Sequence, residues 1–344
     1  MKDAIKPATI VITPRDRYSS LAQCIVDLYE YTDESLFDLI VLNLGYPQKD
    51  WDAGIRELAD RDNYRVFDYG SIIPMAAMDQ VRKEIQTPYA VFMDNDSRAL
   101  PGWLPPLIAS ANSTQAAVVY PVTLERSGVD AGADVRTHLW TTELRVVDVE
   151  KTPFLIEHKT FRRALPEDLP AESAESQAFE LHCVMFNTEV LKTLELPRMT
   201  IREHLDIGLQ IRSRGLKLLV EPSSHIVFDN LGTRANLSDL KYFNLRWNTH
   251  ITEQSSRLFE KRWGYSFYSE KSIYNWARRR RRFLIMRWLY LPIPVANFLD
   301  KIVSAIQRRV RPIWDPLDDP DGNSRPLYDG KSDSVPKQLN HSLQ

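Results

Sequence analysis

The first hundred residues alternate short apolar, β-branched runs with stretches of helical periodicity, and this alternation restricts the fold more than any other feature. Ala8–Thr13 is an apolar run stopped by Pro14, and Leu21, Ile25, Leu28 and Tyr29 then recur at the spacing of one helix face. Asp38–Leu44 is the next run, closed by Gly45-Tyr46-Pro47. A helix is expected over Trp51–Ala59, a short strand over Tyr64–Phe67, a helix over Met75–Ile85 and a strand over Pro88–Met93. Strand and helix in this order imply a mostly parallel central sheet with flanking helices. Ligands of such sheets bind beyond the carboxyl ends of the strands.

One strand end carries chemistry. Tyr89–Met93 runs directly into Asp94-Asn95-Asp96, two carboxylates one residue apart. Acids so placed can share a hard divalent cation, because Mg²⁺ and Mn²⁺ favour one or two carboxylates completed by substrate phosphate oxygens. Asp94 and Asp96 are therefore candidate metal ligands, with His225 as a possible third; a solvated turn is the plain alternative. The arginines of Thr13-Pro14-Arg15-Asp16-Arg17 face either a bound diphosphate or water.

Later segments add further groups. Pro101-Gly102-Trp103-Leu104 opens a helix that leads to a strand over Ala116–Tyr120, and Leu181–Phe186, with His182 and Cys183, reads as another strand. There His182 reads as a satisfied core histidine and Cys183 as a small buried hydrophobe. In Thr200–Leu209, Thr200 is a plausible N-cap with Glu203 at the capping-box position. Glu203, Asp206 and Gln210 share one helical stripe. Glu203 thus either caps its helix or serves as a catalytic carboxylate. The helix ends near Gly215, and Leu216–Val220 follows as a strand.

Composition sets no obstacle to an enzyme. The chain of 344 residues is 43% hydrophobic with a formal net charge of −2, so it has no general attraction to nucleic acid. Two cysteines are too few for a disulfide framework and suit a reducing compartment. Met1–Pro7 lacks the apolar core of a signal peptide, and no uninterrupted apolar run is long enough to span a bilayer.

The order of these pieces resembles family 2 glycosyltransferases of the GT-A fold. It is closest to a branch with an Asp-Asn-Asp pocket, a His-Cys strand and an Arg-Glu-His-x-Asp helix, here Asp94–Asp96, His182-Cys183 and Arg202–Asp206. That branch also has a late Arg-Trp followed by a Phe-x-x-(Lys/Arg)-Trp-Gly segment, here Arg246-Trp247 and Phe259–Gly264. The resemblance covers about residues 8–268. It implies inverting, metal-dependent transfer of a sugar from a nucleotide-diphosphate donor, UDP-linked in the common case, to a hydroxyl of a glycan or glycolipid. It further implies a hexosyltransferase-type enzyme of polysaccharide or glycoconjugate synthesis with Mn²⁺ or Mg²⁺ as cofactor. Asp96 would hold the cation and Asp94 would reach the ribose. Glu203 would be the base, Asp206 the second choice, and His204 stands where many relatives have an aspartate. Pro14, Arg15, Arg17, Asn43, Asp79 and Asn95 complete the expected donor site, which should lie before residue 225. Two further positions depart from the family pattern: Asn43 replaces the usual base-reading acid, and Ala77-Met78-Asp79 replaces Ala-x-Asn. Acceptor contacts are expected from 125–180 and 230–270.

These readings divide the chain into a GT-A catalytic domain at 1–230, a helical C-terminal extension at 231–310 and a tail at 311–344 whose Asp, Pro, Ser and Gly content suits disorder. Within the extension, Arg278–Arg282 precede an apolar stretch to Leu299 broken by Arg287, Pro292 and Pro294. Segment 278–299 suits contact with an anionic membrane surface, and a cytoplasmic protein peripheral on the inner membrane face is the expected location. A packed helix with a wet arginine face is the alternative. Two rival functions remain at this point. One is a haloacid-dehalogenase-like phosphotransferase, which also uses Asp-x-Asp but needs a further acidic pair. The other is a catalytically degenerate GT-A binding subunit.

Overall fold

The computed structural model describes residues 6–126, 135–149, 151–228, 238–239, 245–266 and 291–310. A ten-stranded sheet forms the centre. β1 (Ala8–Thr13), β2 (Phe37–Asn43), β3 (Tyr64–Asp68) and β4 (Tyr89–Asp94) lie in the order β3-β2-β1-β4, all parallel. The helices that link them are α1 (Leu21–Tyr31), α2 (Gln48–Arg56) and α3 (Pro74–Val81). Every residue of β1 and β4 is buried, which explains why both read as continuous apolar runs without alternation.

Beyond β4 the sheet becomes mixed. After the short β5 (Ser97–Ala99) and α4 (Leu104–Thr114), β6 (Val118–Arg126) enters further along, paired with β7 (Val135–Leu139). The hairpin β8 (Thr142–Val149) and β9 (Thr152–Lys159) forms a separate two-stranded sheet, and β10 is the two-residue strand Ala174–Glu175. β11 (Cys183–Asn187) then fills the gap between β4 and β6, antiparallel to both. Its return through the hairpin and loop, rather than through a crossover helix, permits that direction. β12 (Leu218–Phe228) lies parallel to β6 on the other side, following α5 (Thr188–Thr193) and α6 (Glu203–Ser213).

Apolar cores cover the sheet, and a third cluster joins the hairpin to the helices. Leu144 and Leu155 of the hairpin meet Leu205 and Leu209 of α6 and Leu258, Phe259 and Trp263 of α7 (Thr249–Trp263). Gly208 lets α6 seat against the chain: a Cβ there would stand 2.5 Å from the Gln177 carbonyl oxygen. A last helix, α8 (Ile293–Arg309), packs against α7. Among the described residues no helix is long and apolar enough to cross a membrane. The calls on Arg278–Arg282 and on 311–344 lie outside the described residues.

Candidate active site

The ends of β1 and β4 converge where the parallel strands stop. The Asn95 amide N–H of the backbone donates to the Thr13 carbonyl at 2.8 Å, joining the two strand ends. The Asn95 side chain is fully buried and fully used. Its Oδ1 accepts from Arg15 N at 3.2 Å, and its Nδ2 donates to the Arg17 carbonyl at 2.7 Å and the Tyr46 hydroxyl at 3.0 Å. Asn95 therefore shapes the Pro14–Arg17 loop and is not turned to a ligand as expected.

The acids on either side of it behave differently. Asp94 is buried, and its Oδ2 lies 3.0 Å from His182 Nδ1 and 3.4 Å from Arg15 Nε. Asp96 is wholly buried, and neither carboxylate oxygen has a hydrogen-bond partner; its nearest cation is Arg17, with Nε 3.9 Å from Oδ2. Burial pushes the Asp94 carboxyl up to about 7 and that of Asp96 to about 6, against the pull of Arg15 and Arg17 respectively. Asp94, Asp96 and His182 each offer a ligand atom within 4.8 Å of the others. Burial and the neighbouring His138 push His182 down to about 3, so its ring is neutral and suited to binding a cation. A buried carboxylate without partners beside a neutral imidazole and a second acid fits a divalent ion. His225, the expected third ligand, is half-buried on β12 and belongs to none of the ligand groups found among the described residues. His182 takes its place because the β11–β4 register sets it beside Asp94. His182 stacks on Phe228 with centroids 3.8 Å apart, so its core packing and its place at the acids coexist.

Helix α6 brings Glu203 to the same place. The helix begins at Glu203, not Thr200: its N-cap is Arg202 in the left-handed region (φ 66°) with no side-chain cap, and Thr200 N instead donates to Ser255 Oγ at 3.1 Å. Freed from capping, Glu203 Oε1 accepts from Arg15 Nη1 at 3.1 Å, while Oε2 has no hydrogen-bond partner. Arg15 thus spans Asp94 and Glu203 and is held firmly protonated: burial opposes its charge, but the two carboxylates outweigh it. A narrow cleft lies here, lined by Arg15 and Glu203 with Pro74, Met75 and Met78 of the α3 region and Arg246.

Asp206 is not available as a base. Arg262 Nε donates to its Oδ2 at 2.7 Å and Nη2 to its Oδ1 at 3.1 Å. Trp263 Nε1 donates to Oδ2 at 2.8 Å and Gln210 Nε2 to Oδ1 at 2.6 Å. Both Asp206 and Arg262 are wholly buried, so the pair is an internal bolt between α6 and α7. His204 points elsewhere, with Nε2 3.5 Å from Glu157 Oε2 of the hairpin, in a group with Glu180 and Lys159. Asn43 is spent on its own turn: Oδ1 accepts from Gly45 N and Tyr46 N, and Nδ2 donates to Asp68 Oδ2 at 3.1 Å. Asp79 pairs with Arg82 at 2.5 Å and does not line the cavity.

Arg246 was not foreseen, and it moves the limit of the site past residue 225. It is buried, its Nη1 lies 2.5 Å from Asp16 Oδ1, and Trp247 Nε1 donates to the same oxygen at 3.0 Å. The late Arg-Trp pair was visible as a motif, but only the fold shows that it returns to the β1 loop.

With the site in view, residues 9–168 match the model of glycosyl transferase family 2. The matched segment takes in the Asp94–Asp96 strand end. No curated protein matches the chain. Among solved structures it is similar to the crystal structure of GalNAc-T7 with UDP, GalNAc and Mn²⁺. The TM-score is 0.50 and the identity 12%, covering 76% of this chain and 51% of that one. The chain thus spans about half the length of that protein, and the likeness is one of fold: GT-A, as expected from the sequence. The Asp-x-Asp strand end that the haloacid-dehalogenase reading would use lies inside the matched segment, which favours glycosyl transfer over it.

Proposed function

We propose that the protein is an inverting, metal-dependent glycosyltransferase that moves a hexose from a nucleotide diphosphate, UDP in the first instance, to a hydroxyl of a glycan or glycolipid. The observation that carries this reading is the Asp96 carboxylate, wholly buried with neither oxygen hydrogen-bonded, beside Asp94 and His182. Such a group is costly unless a ligand completes it. Asp94, Asp96 and His182 would hold Mn²⁺ or Mg²⁺. When bound, the ion supplies neutralising charge for the departing diphosphate.

The chain's own residues supply the remainder. Arg15 and Arg246 line the cavity and set fixed positive charge beside it, while Arg17 stands next to Asp96. Arg15 holds Glu203 by Oε1, which leaves Oε2 to take the proton from an attacking hydroxyl. A single in-line attack with one base inverts the anomeric centre. The catalytic unit at 1–230 then depends on the extension at 231–310 for Arg246 and for the α7 bolt. Acceptor contacts fall to the hairpin region and α7. Two buried free thiols, Cys24 and Cys183, suit the cytoplasm. Base recognition without an acid at Asn43 leaves the donor base to be read by other groups.

A thermal-shift screen of nucleoside diphosphates with and without Mn²⁺ tests the reading. One nucleotide should stabilise the protein only with the metal, by about 2.7 kcal/mol at a hundredfold excess over Kd. If no nucleotide gives a metal-dependent shift, a degenerate binding subunit is the better account. Glu203→Gln should lower turnover by about a hundredfold or more with donor affinity unchanged, the scale of lost general-base catalysis. Undiminished turnover in that variant would remove Glu203 from the role.

A further inference from the structure

Helix α8 is built inside out. A surface helix ordinarily turns its apolar stripe to the core and its polar face to water. Here the inward positions are Ala296, Asp300 and Ser304, all buried, and Gln307, whose Oε1 accepts from Thr249 N at 3.0 Å and from Thr249 Oγ1 at 3.2 Å at the start of α7. The outward positions are Val295, Phe298, Ile302 and Ile306, spaced by three and four residues along one face. Phe298 is 63% exposed and Ile306 55%, and Ile293 and Val310 extend the apolar surface at either end. Polar anchoring inward and a continuous apolar stripe outward are the arrangement of a helix whose second neighbour is not water.

The charge around the stripe selects the neighbour. Between Lys271 and Arg311 the sequence carries eleven basic residues and a single acid, Asp300, which the fold turns inward. Lys301 and Arg309 are exposed on the helix itself. A second copy of this helix would set Lys301 and Arg309 against their own counterparts, whereas anionic headgroups would complement both them and the basic sequence that precedes the helix. The helix is too polar overall to cross a bilayer. We infer that α8 lies in the interface of an anionic membrane, with Val295, Phe298, Ile302 and Ile306 entering the acyl boundary and the exposed Lys301 and Arg309 at the phosphates. This carries the expected contact of 278–299 on along α8 to Arg309.

Co-sedimentation of the full chain with vesicles tests the inference. The protein should bind vesicles of phosphatidylcholine with phosphatidylserine, bind pure phosphatidylcholine vesicles weakly, and be released as salt is raised. The double variant Phe298→Asp/Ile302→Asp should lower the partition coefficient about tenfold or more, since each loses apolar insertion and adds repulsion. Both side chains are exposed, so the melting temperature should be unchanged. Three outcomes would overturn the inference. These are no binding of the wild-type chain to anionic vesicles, equal binding by the double variant, and concentration-dependent dimers in light scattering that the variant abolishes without any vesicle binding.

Discussion

An Asp96→Asn protein is expected to lose all Mn²⁺-dependent stabilisation by nucleotide and yet, without metal, to be more stable than the wild type above about pH 7. Both effects come from one buried carboxylate. In the fold its carboxyl titrates near 6 against an ordinary 3.8, because burial disfavours the charge. The native state therefore holds that proton more tightly than the unfolded chain does. The stability this confers on the wild type is complete below about pH 4 and is lost as pH rises through about 6. Asparagine stays neutral throughout and keeps it. The variant's advantage at pH 8 should be on the order of 2–3 kcal/mol, vanishing near pH 4. Melting curves of both proteins at the two pH values, with and without Mn²⁺ and nucleotide, measure all of this. A variant less stable than wild type at pH 8 would show that Asp96 is satisfied by the protein alone. Retained metal-dependent binding would take it out of the site.

Asp206→Ala is expected to destabilise the fold by roughly 3 kcal/mol, the cost of taking from the buried Arg262 guanidinium its main partner and leaving it Glu195, 3.3 Å from Nη1. The loss should appear in denaturant unfolding and be largely relieved by also replacing Arg262 with Met, because removing both charges removes the desolvation cost. Asp206→Asn separates structure from chemistry. If it folds normally but turns over as slowly as Glu203→Gln, the base lies one helical turn along from Glu203. The hydrogen bonds argue otherwise: four donors already occupy the Asp206 oxygens, while Glu203 Oε2 has none.

The local parts of this protein are legible in its sequence. β1 and β4 begin and end within about one residue of where their apolar runs do, since a strand buried on both faces must be apolar at every position. Asp94 and Asp96 stand at a strand end because the run stops at them, and the parallel alternation points to that end as the ligand side. The family resemblance adds Glu203, which the fold brings against Arg15 across 188 residues of chain.

What the sequence could not decide is which polar groups are spent on the protein itself. Glu203 and Asp206 lie one turn apart on the same stripe and look interchangeable. Only α7, folding back to place Arg262 and Trp263 on Asp206, makes one structural and leaves the other with a free oxygen. Asn95 sits between two ligand candidates, yet is consumed by the loop it holds. His225 lies in β12 and His182 just before β11, and the pairing of β11 with β4 puts only His182 beside Asp94. The two arginines that line the cavity, Arg15 and Arg246, come from opposite ends of the described fold. Propensity and periodicity report on neighbours within a turn or a strand. The assignment of partners among distant charges follows from how the sheet, the hairpin and the two late helices close on one another.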